Sequence, residues 1–151
     1  MTNKKTKNNT SALFATSNNI VVHIDGGARG NPGPAAIGVV LDYGGTKKKY
    51  GEAIGNTTNN YAEYSALIFA LKKIKLLFGK SKSKELVINI KSDSELLVRQ
   101  MNGIYKIEDA MLRDFFVDIW NLRIDFKTVN FVHIPREENK EADQLVNKAL
   151  D

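Results

Sequence analysis

The chain has 151 residues, enough for one domain with a real core. A hydrophobic content of 42% is too high for a disordered chain, no stretch approaches the roughly 18 apolar residues of a membrane span, and the lack of cysteine removes disulfides and thiolate zinc sites. Lys and Arg outnumber Asp and Glu by 22 to 17, a net charge of +5 that favours a polyanionic partner without naming one.

Residues 1–19, rich in Asn, Thr, Ser and Lys, read as a disordered polar tail. They carry neither the apolar core of a secretory signal nor the arginine of a transit peptide, so a cytoplasmic setting is expected. From Ile20 the pattern tightens. "IVVHID" is a β-branched run that predicts a buried strand ending at Asp25. "AAIGVVLDY" (35–43) and "TKKKYGEAIG" (46–55) flank Gly44-Gly45 and predict a hairpin. In "NNYAEYSALIFALKKIKLLFG" (59–79), Tyr64, Leu67, Ile68, Leu71 and Ile74 recur at helical spacing, with Gly79 as the stop. A strand over 84–93 follows, then a short helix through "SELLVRQMNG", an amphipathic helix over 108–126, a strand over 128–135 ended by Pro135, and a closing helix in "ENKEADQLVNKAL". The order βββαβααβα implies an antiparallel meander extended by parallel strands, with helices over the sheet.

Four acids occupy special places in that order. Asp25 ends the first strand, Glu63 lies in the first turn of the long helix, Asp93 follows the fourth strand, and Asp143 sits early in the last helix. Strand C-terminal ends and the helix starts beside them can converge on one crevice, where clustered carboxylates are hard oxygen ligands suited to Mg²⁺. Each acid also has a plainer reading. Asn60-x-x-Glu63 matches a capping box, Asp93 between Ser92 and Ser94 matches a helix N-cap, and Asp143 fits a solvated helix face. Asp25 is hardest to explain so, because an acid directly continuing an apolar strand is partly buried.

The segments "DGGARGNPGPAAIGVV", "TTNNYAEYSAL", "IKSDSELLVRQMNGIYK" and "HIPREENKEADQL" together resemble the four motif regions of the ribonuclease H type 1 family, in family order, from about Ile20 to the C-terminus. The resemblance implies an α/β ribonuclease H-like domain over 20–151, with a five-stranded mixed sheet of order 3-2-1-4-5 whose second strand is antiparallel. It implies that Asp25, Glu63, Asp93 and Asp143 are the catalytic carboxylates and bind two Mg²⁺ ions in the presence of substrate, Mn²⁺ being a substitute. Two such ions activate water and neutralise the leaving 3′ oxygen in phosphodiester hydrolysis. Asp25 is expected to bridge them, with Glu63 and Asp93 on one and Asp143 on the other.

The same resemblance implies a substrate, an RNA/DNA hybrid whose RNA strand is cut to 5′-phosphate and 3′-hydroxyl ends. Asn31, Asn59 and Asn60 match positions at the minor groove, where RNA shows its 2′-hydroxyls, Thr58 matches a hydroxyl that holds a DNA-strand phosphate, and Gly26 and Glu95 complete the expected substrate-binding set. Gly26 and Gly27 are expected to let backbone and substrate approach closely. For the auxiliary group assisting proton transfer or product release there are two candidates. His133 precedes Asp143 by ten residues but lies in a predicted strand, where a structural role also fits. Arg136, in a P-R-E-x-N-x-x-A-D pattern like that of the archaeal and plant-like subgroup, is favoured over it.

The chain also departs from the family pattern. Glu95 stands where a glutamine is frequent, and an ionised carboxylate donates no hydrogen bond. "NGIYKIEDAM" runs almost directly into the next helix, so the basic, tryptophan-rich protrusion of many bacterial members is missing, and no N-terminal hybrid-binding domain is expected. Salt-sensitive binding follows, with Lys72, Lys73, Lys75, Lys80, Lys82 and Lys84 as a substitute basic patch. A monomer without membrane attachment is expected. Two alternatives stay open at this point: a broader nuclease that also cuts double-stranded RNA, and a non-catalytic hybrid-binding module.

Overall fold

A computed structural model describes residues 18–151. Most of the polar tail read from the sequence lies outside the described residues. Its last two positions belong to the fold: the Asn18 carbonyl accepts from the Val87 amide at 2.8 Å, and Asn19 opens the first strand.

The strands are β1 (Asn19–Ala28), β2 (Gly33–Tyr43), β3 (Thr46–Thr57), β4 (Val87–Ser92) and β5 (Thr128–His133). The helices are α1 (Asn59–Ser83), α2 (Glu95–Met101), α3 (Ala110–Arg123) and α4 (Lys140–Leu150), with a 3₁₀ turn over Arg136–Glu138. The sheet order is β3-β2-β1-β4-β5, the order and strand directions expected from the resemblance. β2 is antiparallel to β1 and β3, while β1, β4 and β5 run parallel. Among the described residues no helix is long and apolar enough to cross a membrane.

The periodicity of α1 explains its place. Ala66, Leu67, Ala70, Leu71 and Ile74 form a buried stripe, packed with Ile20, Val22 and Ile24 of β1 and Val39 and Leu41 of β2 in one core. Small residues in that stripe let the helix approach the sheet closely. Gly79 breaks the helical path as expected, at φ 83°, but a further turn follows to Ser83. Helix α4 lies over β2 and β3, where Gly38 and Gly51 leave room for the backbone of Ala142 and Leu145.

Strand β1 does not end at Asp25. It pairs with β2 through Ala28↔Ala35, so Asp25, Gly26 and Gly27 are ladder residues opposite Gly38, Ile37 and Ala36. Its parallel partner β4 stops earlier, at Ile24↔Ser92. Asp25 therefore stands one residue beyond the last β1–β4 pair. A sheet opens a crevice at such a point, past the strand ends.

Candidate active site

The crevice is a cleft of about 370 Å³ whose lining includes Asp25, Glu63, Asp93, Asp143, Asn59 and Arg136. Carboxylate oxygens of Asp25, Glu63 and Asp93 lie within 4.8 Å of one another. Asp143 faces the same cleft from the first turn of α4 but stands outside that close group. It is exposed, and one of its oxygens accepts from the Asn147 amide at 3.4 Å.

Local structure decides what each acid is free to do. The cap of α1 is Thr58, whose hydroxyl accepts from the Tyr61 amide at 3.3 Å. Glu63 is thus no capping-box acid; it is buried, and its Oε1 accepts from the Gly26 amide at 3.2 Å. Ser94, not Asp93, caps α2, its hydroxyl accepting from the Leu97 amide at 3.2 Å. Two of the plainer readings are therefore taken by neighbouring residues, and both carboxylates are left for the cleft.

Gly26 gives the close backbone approach expected of it, and the backbone is that of helix α1. A Cβ there would collide with the backbone of Ala62 and Glu63, so its missing side chain admits helix α1. Gly27 would meet only ordinary contacts, with Val146 at 3.7 Å.

The electrostatics follow from crowding acids in a poorly hydrated corner. Burial, and then the Asp93 and Asp143 charges, push the Asp25 carboxyl up to about 7 against a contribution from Glu63 that lowers it. Burial, then the Asp25 charge, push Glu63 well above the ordinary carboxylate range. Glu63 Oε2 is buried with no hydrogen-bond partner. The nearest cation contact is Arg136 Nε, 4.0 Å from Asp93, on a side chain 89% exposed. Arg29 also lines the cleft, but it is held by Asp151 at 2.5 Å and by the carbonyls of Asn147 and Leu150.

A divalent cation fits this set. The donors are all carboxylate oxygens, the ligand type Mg²⁺ and Mn²⁺ prefer, and a buried oxygen without a partner is what a cation would satisfy.

The polar residues expected at substrate form a chain beside the acids. Asn59 Oδ1 accepts from the Ala28 amide at 2.8 Å, and Asn31 Oδ1 accepts from the Asn59 amide at 3.0 Å. With both oxygens engaged by the backbone, the two amide NH₂ groups remain as donors. Asn60 lines the acid cleft and the neighbouring one, which Thr58 and Asn31 also line. Glu95 is exposed and pairs with Arg99 at 3.3 Å; it lines neither cleft. His133 ends β5 opposite Ser92, exposed and away from the cleft lining, whereas Arg136 is part of that lining.

One buried residue of the site was missed by reading the sequence. Asn139, 1% exposed, donates from Nδ2 to the Ile24 carbonyl at 2.8 Å, tying the start of α4 to the residue before Asp25. It thereby holds the helix that carries Asp143 beside the strand that carries Asp25. Its signal in the sequence is the asparagine of the P-R-E-x-N-x-x-A-D pattern, one turn ahead of Asp143, to which no role was attached.

The Reverse transcriptase-like family model matches residues 23–149. A bifunctional protein of Mycobacterium tuberculosis is 38% identical over 135 residues, covering 87% of this chain and 35% of that one. This chain thus spans about a third of the length of its mycobacterial relatives. The ribonuclease H of Sulfurovum sp. is 32% identical over 143 residues, covering 87% of this chain and 90% of that one. Among solved structures, LC11-RNase H1 in complex with an RNA/DNA hybrid superposes with a TM-score of 0.82 at 46% identity, covering 87% of this chain and 96% of that one.

Proposed function

The chain belongs to the ribonuclease H type 1 family, and from that premise we propose that it is a metal-dependent endonuclease cutting the RNA strand of RNA/DNA hybrids to 5′-phosphate and 3′-hydroxyl ends. The observation that carries this reading is the convergence of three carboxylates within 4.8 Å around a buried, unpartnered oxygen, beside a row of amide and hydroxyl donors. A non-catalytic binding module has no use for a buried acid cluster, which costs stability when empty of charge compensation.

Asp25, Glu63 and Asp93 would hold one divalent ion, with Asp143 joining Asp25 for a second. When bound, the ions would supply an activated water and neutralise charge at the leaving oxygen. The chain's own residues do the rest. The NH₂ groups of Asn31, Asn59 and Asn60 are donors for the minor-groove face of the hybrid, where 2′-hydroxyls distinguish RNA. Thr58 spends its oxygen lone pair on the helix cap and keeps its proton for a phosphate. We read the protein as monomeric and cytoplasmic. The experiment that tests the reading is incubation of end-labelled hybrid, duplex RNA and duplex DNA with and without Mg²⁺ or Mn²⁺. Metal-dependent cleavage of the hybrid's RNA strand alone is expected; intact hybrid would overturn it, and cleavage of duplex RNA would establish the broader specificity.

Arg136 is the favoured auxiliary group, because it borders Asp93 and lines the cleft whereas His133 does not. Replacing one charge-assisted hydrogen bond is worth about 1.5–3 kcal/mol, so Arg136→Ala should lower kcat by about tenfold to a hundredfold. His133→Ala should stay near wild type in the same steady-state assay. The reverse ranking would transfer the role to His133.

A further inference from the structure

Away from the carboxylates, two clefts of about 450 and 480 Å³ share Gln100, Gly103 and Phe116 and form one groove. Its floor is the edge strand β5, through Val129 and Phe131, and its walls are α3 and the connection from α2 to α3. Among the described residues, none lines both this groove and the acid cleft.

The walls are fixed to one another. Asn102 Nδ2 donates to the Phe131 carbonyl at 3.2 Å, Gln100 Nε2 to the Lys106 carbonyl at 3.1 Å, and Arg113 Nε to the Ile107 carbonyl at 3.2 Å. Large apolar side chains nevertheless stay open to solvent: Tyr105 is 46% exposed, Val117 55% and Trp120 47%. A contiguous apolar surface bordered by polar groups marks an interaction site, and Trp, Tyr and Arg carry most of the binding energy at interfaces.

Charge is sorted on α3. At about 100° per residue, Arg113, Phe116, Val117, Trp120 and Arg123 fall within about a third of the helix circumference, and Asp114 and Asp118 fall outside it. The groove is thus lined by two arginines and no acid. Neither guanidinium has a carboxylate partner among the described residues: Arg113 bonds a carbonyl, and Arg123 lies 4.4 Å over the Trp120 ring. Trp120 also stacks on Phe116 at 5.6 Å, and Arg99 lies 5.5 Å over Tyr105. The aromatic faces are therefore engaged within the chain, and what the groove offers is apolar contact with positive charge, not a platform for stacked bases.

We infer that this groove docks a peptide segment of another protein, in which bulky apolar side chains stand between two acidic groups. Arg113 and Arg123 are ten residues apart on α3, which sets those acids about 15 Å from each other at 1.5 Å per residue. The chain's own residues 1–17 do not match, because their charged side chains are lysines alone. Walls that are fixed in advance lower the ordering cost of docking. A partner held here leaves the carboxylates open to substrate, so it tethers the chain without blocking it.

Trp120 is the single tryptophan of the chain, so its emission reports occupancy of the groove. The probe is a capped hexapeptide with glutamate at each end and Leu-Phe-Phe-Leu between, whose acids stand about 16 Å apart when extended. Titrated into the full chain, it should give a saturable blue shift and bind about tenfold or more tighter than the same peptide ended with lysines. Arg123→Glu should invert that preference, and Arg123→Gln should weaken it, with melting temperatures near wild type as the check on folding. Hybrid cleavage by both variants should match wild type. Equal binding of the two peptides, or no saturable shift with either, would overturn the inference. So would a shift produced by a single-stranded oligodeoxynucleotide in place of the acidic peptide, or one that grows with protein concentration alone; these would assign the groove to nucleic acid or to a second copy of the chain.

Discussion

Asp25→Asn should abolish cleavage and at the same time raise the melting temperature of the metal-free protein at pH 8. Both effects come from one cause. The folded chain holds the Asp25 carboxyl up to about 7, chiefly through burial, whereas in the unfolded chain it titrates near the ordinary value of about 4. Between those values the folded state binds the proton and the unfolded state does not. Stability of the metal-free protein therefore falls as pH rises from about 4 to about 7, and above that window the whole cost of the buried charge is carried. An asparagine cannot ionise, so the variant escapes the penalty, and its advantage should shrink at pH 5. Activity moves the other way. Without this carboxylate Glu63 and Asp93 would be left to hold a divalent ion without Asp25, and kcat should drop by more than the ~10²–10³ that one transition-state hydrogen bond supplies. Hybrid binding should stay nearly intact, because the amide and hydroxyl donors are untouched. Thermal melts at pH 5 and pH 8, with and without Mg²⁺, read the stability half; residual activity at the wild-type level would remove Asp25 from the site. Wild-type protein should gain most from Mg²⁺ above pH 7, where the cation meets a carboxylate that is already ionised.

Gly26→Ala should be the most destabilising small substitution near the site. The added Cβ has nowhere to go: its neighbours are the backbone of Ala62 and Glu63, and backbone cannot rotate aside as a side chain can. Helix α1 would have to lift from β1, which opens the stripe of small residues in the core and draws Glu63 away from Asp25. A loss of about 3 kcal/mol or more is expected, or a fall in melting temperature of about 10 °C for a domain of this size. Metal affinity should weaken with it, since the Gly26 amide to Glu63 hydrogen bond is part of the same contact. Gly27→Ala is the control, being next in sequence and opposed only by an ordinary contact with Val146 at 3.7 Å. Equal effects from the two substitutions would mean that strand geometry, not the approach of α1, is what excludes a side chain at Gly26.

Helix and strand positions were readable wherever a period dominated, as in the Leu67, Leu71 and Ile74 stripe of α1 or the β-branched run of β1. The end of β1 was not. A glycine pair after an acid looks like a loop, and only pairing with β2 keeps Gly26 and Gly27 in the ladder. Lysine clustering in 72–84 is legible in the sequence, but the ion pairs of Lys75 with Asp125 and of Lys82 with Glu85 come only from the fold.

The order of residues by itself determined the elements wherever a period dominated and singled out the candidate acids, since period and motif spacing are local properties of the chain. Tertiary structure decided which carboxylates share a corner and what each can still bind. Thr58 and Ser94 take the helix caps, so Glu63 and Asp93 are spared for the cleft. Gly26 lets α1 close on β1, and Asn139 pins α4 beside Ile24. Those are contacts between residues tens of positions apart, set by excluded volume and by the need to satisfy buried polar groups, and neither is written in any local pattern.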